Sequence, residues 1–452
     1  MIQAAYGRRW RPTRYGLAAV LGAAVLFVAT ASSILSILLS QIPIRASLFG
    51  LPAVGLVAAA TYFGVRGWRE HEQAARRHDQ VRAAILLSLG MVLWLLVLDI
   101  FTFTQAAGPL AALVSTLACL PSTAFGLFVV RRLDRNEKEP WRMVLIATVW
   151  GAIVSTSLVV WAESIWDYFA VRSMVPGPAL SASIAYSAGI FEETSKGIAV
   201  VFLYLIMRDD FDDVIDGIVY GAAVGLGFNY MESIAYMTHL YAIFQPEGQG
   251  LAVAAAQWYT RQVLGLFFGH AAYTALIGAG VGIARQLPRL RDRLLCILCG
   301  FLVAIAAHFA WDAWVQFYPI SQTPFALVEI HLRTLFMEGP FVAVVLLLLA
   351  MGLRIEGAAL AQQLRAEAES RRGTVEADEL STLVSPWRRF SARLRRLRER
   401  GIRGYIGLGR LQRAQLDLAM ELWHRERSEI DEPLEAEDRL RRHVLELRAS
   451  AA

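Results

Sequence analysis

Charge is what this sequence has least of. Asp, Glu, Lys and Arg make up 18% of its 452 residues, while 56% are hydrophobic. Soluble domains average about 25% charged and about 45–50% apolar. Intrinsic disorder, a collagen-like fibre and an ordinary soluble enzyme are therefore excluded. Cysteine is scarce as well. Three residues, Cys119, Cys296 and Cys299, cannot build a disulfide scaffold. Cys296 and Cys299 have CxxC spacing, but no second pair completes a zinc site, so they are expected to be buried small apolar residues. Lysine is nearly missing: Lys138 and Lys196 stand among 44 basic residues. The scarcity is also uneven, because 36 of the 83 charged residues fall in 355–452. One part of the chain is solvated by lipid and the other by water.

A helix needs about 20 mostly apolar residues to cross a ~30 Å hydrocarbon core. The pattern predicts an all-α polytopic membrane protein of about ten spans, near 15–41, 47–65, 83–106, 109–130, 143–165, 180–206, 214–240, 262–284, 294–318 and 335–353. The first, behind Arg8, Arg9, Arg11 and Arg14, is expected to be a retained span and not a cleaved signal peptide. Basic residues mark cytoplasmic loops. With the N-terminus inside, nineteen fall in inside loops, and Arg45, Arg172, Arg261 and Arg333 fall outside. Both termini are therefore expected in the cytoplasm. The net charge of +5 reports orientation, not a nucleic-acid partner, since the arginines are dispersed among the spans. Three regions follow: helices 1–4 in 1–130, a core in 131–354, and a mostly helical cytoplasmic tail in 355–452.

Ionisable side chains near the bilayer centre cost about 2.5–3.5 kcal/mol each and need a reason. The sixth span carries Glu192, Glu193 and Lys196, spaced so that the ammonium reaches either carboxylate. One Glu would balance the Lys; the second leaves a charge over. The seventh carries Gly217, Gly221 and Gly225, a stripe for close helix packing, then Phe228, Asn229 and Glu232 within about one turn. The eighth carries His270. The ninth carries His308 and Asp312 at i,i+4, where a carboxylate can fix the imidazole tautomer or share a metal. Paired carboxylates with imidazoles are equipment for activating water: one carboxylate is pushed toward its acid form while its neighbour stays a base. No GxSxG elbow and no HExxH helix is present. An ion or proton transporter uses similar residues, but the chain shows no internal repeat of the transporter kind. A substrate-binding scaffold of the same fold is the third alternative.

These motifs resemble the PrsW family of intramembrane proteases. Glu192-Glu193-Thr194-Ser195-Lys196 fits its EExxK, Phe228 to Glu232 its FxxxE, and His308 to Asp312 its HxxxD. The helix of His270, Thr274 and Gly278 and the loop from Asp134 to Trp141 are also similar. The resemblance covers about 131–320. Lys196 and Glu232 stand where the related CAAX-protease and bacteriocin-processing group has Arg and His. The resemblance implies a peptidase of the bacterial cytoplasmic membrane acting on a membrane protein or peptide, with an anti-sigma factor as one model substrate. Glu192 or Glu193 would activate water, assisted by His270 and His308, with Lys196, Phe228, Asn229, Glu232 and Asp312 in support. Metal-free glutamate catalysis is the expectation. The alternative is a divalent ion such as zinc on Glu232, His270, His308 and Asp312.

The tail offers a basic amphipathic helix from Trp387 to Arg398, with Phe390, Leu394 and Leu397 on one face. It suits anionic lipid or packing against its neighbours.

Overall fold

The structure, a computed structural model, describes residues 51–70, 72–206, 211–318, 325–426 and 434–451. The expected span 15–41, its four N-terminal arginines, Arg45 and Arg208 lie outside the described residues. Among the described residues there is no strand.

The helices are α1 Leu51–Arg69, α2 Gln73–Ala107, α3 Pro109–Leu133, α4 Trp141–Val171, α5 Pro178–Ile206 and α6 Val214–Phe244. Then come α7 Gly250–Trp258, α8 His270–Gln286, α9 Leu290–Phe317 and α10 Ala326–Glu369. The tail adds α11 Leu380–Leu383, α12 Pro386–Glu426 and α13 Leu434–Ala451. Six described helices are long and apolar enough to cross a membrane: those in 78–107, 109–133, 141–171, 214–247, 290–317 and 326–369. Neither α5 nor α8 is among them. The middle of α5 carries Glu192, Glu193 and Lys196, and α8 has 17 residues. Cys119 is buried, but Cys299 lies exposed on α9, not in the interior as expected.

The bundle is built around α6, which is almost wholly buried. Its glycine stripe explains why. A Cβ on Gly217 would lie 2.0 Å from the Gly278 carbonyl oxygen, one on Gly221 2.3 Å from that of Thr274, and one on Gly225 2.2 Å from that of His270. The backbones of α6 and α8 touch, antiparallel, over three turns. On the opposite side Gly227 meets Thr148 and Gly151 meets Val224, so α4 closes against α6 in the same way. Small residues make such approaches possible, and dispersion across them holds the helices together in lipid.

The expected span 262–284 is not one helix. Helix α7 runs on as a π-wound segment, Tyr259–Leu264, and the chain then breaks before α8 starts at His270. From Gln262 to His270 the chain takes eight residue steps where α6, alongside, takes four from Asn229 to Gly225. Gly269, at φ +107°, supplies a conformation that side chains rarely adopt. The break puts His270 at a helix N-terminus inside the bundle.

The boundary expected at residue 355 falls within α10, a single helix of 44 residues. Its second half packs Leu360 and Leu364 against Leu416, Met420 and Trp423 of α12. The tail is also pinned to the loops of the membrane domain. Arg389 donates to the Asn136 amide oxygen at 2.9 Å, and His424 lies 3.0 Å from Asp212 and 3.4 Å from Glu137. In the same loop Glu139 accepts from the Tyr220 hydroxyl, and burial pushes its carboxyl up to about 7.

Candidate active site

Four helices each deliver part of one cluster. On α5, Lys196 Nζ sits 2.6 Å from Glu193 Oε1 and 3.3 Å from Glu192 Oε2. Helix geometry set this up, since positions three and four apart share a face. Helix α6 supplies Phe228, whose ring centre lies 4.2 Å from Lys196 Nζ, a cation–π contact away from water. Helix α8 supplies His270, whose Nδ1 is 3.0 Å from Lys196 Nζ and whose Nε2 is 2.7 Å from Glu232 Oε2. Helix α9 supplies His308, with Nδ1 2.9 Å from Glu193 Oε1.

These partners set which ring nitrogens donate. Lys196 can only donate, so His270 Nδ1 accepts and its Nε2–H donates to Glu232. A carboxylate can only accept, so His308 donates through Nδ1–H to Glu193. The ring nitrogens nearest Glu192 are His270 Nδ1, which accepts from Lys196, and His308 Nε2, which also faces Asp312. Both atoms lie 3.7 Å from Glu192 Oε2.

The two glutamates are not equivalent. Glu193 and Lys196 are fully buried, and Glu193 is spent on Lys196 and His308. Glu192 lines a cavity of about 800 Å³, together with Glu232, His270, His308 and Asp312. Asp312 Oδ2 stands 3.5 Å from His308 Nε2. Asn229, the remaining sequence candidate, lines the same cavity but touches none of the cluster's ionisable groups. Its amide donates to the Arg261 carbonyl at 3.1 Å, and Gln262 donates back to the Asn229 carbonyl, so the pair splints the helix break.

Several residues of the site escaped the sequence reading. Arg261, expected in an outer loop, enters the site and pairs with Glu232 at 2.7 Å while stacking on Tyr236. Tyr273 stacks on the His308 ring at 5.2 Å and donates to Glu338 of α10. Asp99 and Glu163 line the same cavity. Glu338, Asp99 and Glu163 each lie within an expected span, so the rule that singled out Glu232 applied to them too. Tyr273 had a weaker signal, its i,i+3 spacing from His270.

Arg261 defines a testable positioning role. It compensates Glu232, which in turn holds His270 by Nε2. Replacing such an orienting partner typically costs about 10–100-fold in activity. Arg261→Gln is expected to lower kcat by that amount with little change in KM, and Arg261→Lys to recover part of it. Unchanged kcat in Arg261→Gln would remove Arg261 from the site.

The donor set also accommodates a metal. Glu192, Glu193, His270 and His308 each offer a ligand atom within 4.8 Å of the others. A tetrahedral zinc site spaces its ligand atoms by roughly 3.3–3.5 Å, from metal–ligand bonds of about 2.0–2.1 Å. Glu193 Oε2 is buried and has no hydrogen-bond partner. Each imidazole is backed by a carboxylate, as metal-ligating histidines usually are. This group differs from the expected ligand set in two members. Glu232 stands behind His270 with Arg261, and Asp312 lies outside the group, so the carboxylates of the cluster are Glu192 and Glu193.

Fold and site together define a helical membrane protein with a buried glutamate–histidine centre opening on a cavity. Residues 139–351, a little under half of the chain, match the model of the PrsW family of intramembrane metalloproteases. All the cluster residues lie within the match. The chain is 29% identical over 179 residues to the protease PrsW of Geobacillus kaustophilus (strain HTA426), which is 40% of this chain and 69% of the relative. It is 27% identical over 142 residues to the protease PrsW of Bacillus subtilis (strain 168), 31% of this chain and 62% of that relative. No solved structure matches the chain.

Proposed function

We propose that the protein is an intramembrane peptidase that hydrolyses a peptide bond of a membrane-associated protein, with water activated at Glu192. The observation that carries this is the convergence of Glu192 Oε2 and one ring nitrogen of each imidazole on one cavity wall. Glu192 is placed to take the proton from water as the oxygen adds to the carbonyl, and to pass it to the leaving amine. Tyr273 and Glu193 hold His308, and Glu232 with Arg261 holds His270, so neither ring reorients during the reaction. Lys196 offsets the charge of the Glu pair. A divalent ion such as zinc, held by the imidazoles and the Glu pair, would supply a water of lowered pKa and polarise the carbonyl. The metal-free alternative rests on the ammonium of Lys196, a cation already within 2.6–3.3 Å of both glutamates.

Ten spans with both termini in the bacterial cytoplasm remain the proposed topology, from the arginine bias. A single-span regulatory protein such as an anti-sigma factor is the proposed substrate class. The test is the purified protein in vesicles with a single-span substrate, read for cleavage and for solute flux. Cleavage without flux is expected. Flux without cleavage would mark a transporter, and neither would mark a scaffold. Exhaustive chelation separates the two chemistries: loss of cleavage restored by a divalent ion requires the metal, and full retention excludes it.

A further inference from the structure

The first stretch of α12 is built inside out. In a helix packed against a water-soluble body, apolar residues face in and charges face out. Here Arg389 is the buried residue, 4% exposed and bonded to Asn136 and the Leu383 carbonyl. Arg393 also turns inward and donates to Gln412. The outward face carries Trp387, 73% exposed, then Phe390, Leu394 and Leu397. Spacings of three, four and three residues keep these four on one side of the helix, a row about 15 Å long at 1.5 Å per residue. Gly401, at φ +65°, then breaks the helix, and Ile402 beyond it is 62% exposed. The remainder of α12 has ordinary polarity, with Leu411, Leu416 and Leu418 buried.

Three observations say what covers this face. It is flanked by exposed Arg388, Arg395, Arg398 and Arg403, so its rim is cationic. It is anchored through Arg389 to Asn136, three residues beyond the end of α3 and five before the start of α4. The anchor therefore lies within about two helical turns of the membrane boundary at both spans. Among the described residues, the rest of the tail is occupied with its own core and leaves this row uncovered.

We infer that the α12 segment 386–402 lies in the interface of the protein's own bilayer, with Trp387, Phe390, Leu394, Leu397 and Ile402 among the lipid chains and the flanking arginines on anionic headgroups. An amphipathic helix in that position gains from buried apolar area and from attraction to anionic lipid together. Anchored to the loop between α3 and α4, it would hold the tail flat against the membrane.

Nitroxide accessibility in single-copy nanodiscs tests this on the full chain. Leu394→Cys and Ile402→Cys are labelled in a Cys296→Ser, Cys299→Ser background, with Glu399→Cys as the water-facing control. In phosphatidylcholine discs containing phosphatidylglycerol, the ratio of oxygen to nickel-chelate collisions at 394 and 402 is expected to exceed that at 399 by about threefold or more. Replacing Arg388, Arg395 and Arg398 by Gln, or omitting the anionic lipid, is expected to reduce the difference. Water-like values at 394 and 402 in anionic discs would overturn the inference. So would lipid-like values that appear only when two copies share a disc, since a second chain would then be the cover. Indifference to anionic lipid would overturn the headgroup contacts. None of these readouts depends on catalysis.

Discussion

Glu192→Gln is expected to lower cleavage by at least about 10³-fold while the protein inserts and folds normally. The amide keeps the size of the carboxylate but cannot take a proton or hold a cation. Glu192 faces the cavity, and the substitution leaves the 2.6 Å Lys196–Glu193 pair intact. The neighbouring variant should behave differently. Glu193→Gln removes the carboxylate that Lys196 and His308 share in a fully buried place. Breaking a buried pair from one side costs about 3–5 kcal/mol, so Glu193→Gln should lose both activity and thermal stability in detergent. Cleavage and melting measured on both variants decide the assignment. Inactivity with normal melting in Glu193→Gln, together with activity in Glu192→Gln, would reverse the two roles.

The second large effect is expected from a methyl group. In Gly225→Ala the new Cβ would lie 2.2 Å from the His270 carbonyl oxygen, a backbone atom with no rotamer to escape into. The helices α6 and α8 must separate, at a cost of about 3 kcal/mol, the upper range for overpacking. His270 is the first residue of α8, so the same separation moves its imidazole away from Lys196 and Glu192. Activity should therefore fall even in the fraction that stays folded. Gly357→Ala on α10 is the control, because nothing lies within 4 Å of its added Cβ. Its melting temperature should be unchanged or slightly higher. A Gly225→Ala protein with full activity and normal melting would show that α6 and α8 are less close than described.

Much of the site was legible because charge is scarce. In a sequence where most basic residues mark loops, Glu192, Glu193, Lys196, Glu232 and Asp312 stand out within apolar runs. The structure gathers all five around the two imidazoles, with Asp312 3.5 Å from His308 and Glu192 3.7 Å from both rings. The glycine stripe of α6 was legible for a similar reason, since a four-residue period of glycine has few uses other than close packing. What was not legible depends on three-dimensional placement. Adjacent residues on a helix point about 100° apart, and neither spacing nor composition says which of Glu192 and Glu193 meets a cavity. The start of α8 at His270 depends on a break between two helices that both fit against α6. A hydropathy window runs straight through it. Arg261 misled because the rule for topology assigns every arginine outside a span to a loop. Its partner Glu232 is 29 residues away, beyond any helical spacing.

Helix α10 runs unbroken from the site to the tail, and its stiffness has a mechanical consequence. Glu338, bonded to the tyrosine that stacks on His308, and Leu364, in the tail core, belong to one rod, about 39 Å apart along its axis. Pro340, two residues from Glu338, removes one backbone hydrogen bond and clashes with the preceding turn. That is the rod's softest point, and it lies beside the glutamate–histidine cluster. A sideways load on the tail is thus levered over a pivot whose short arm ends on Tyr273.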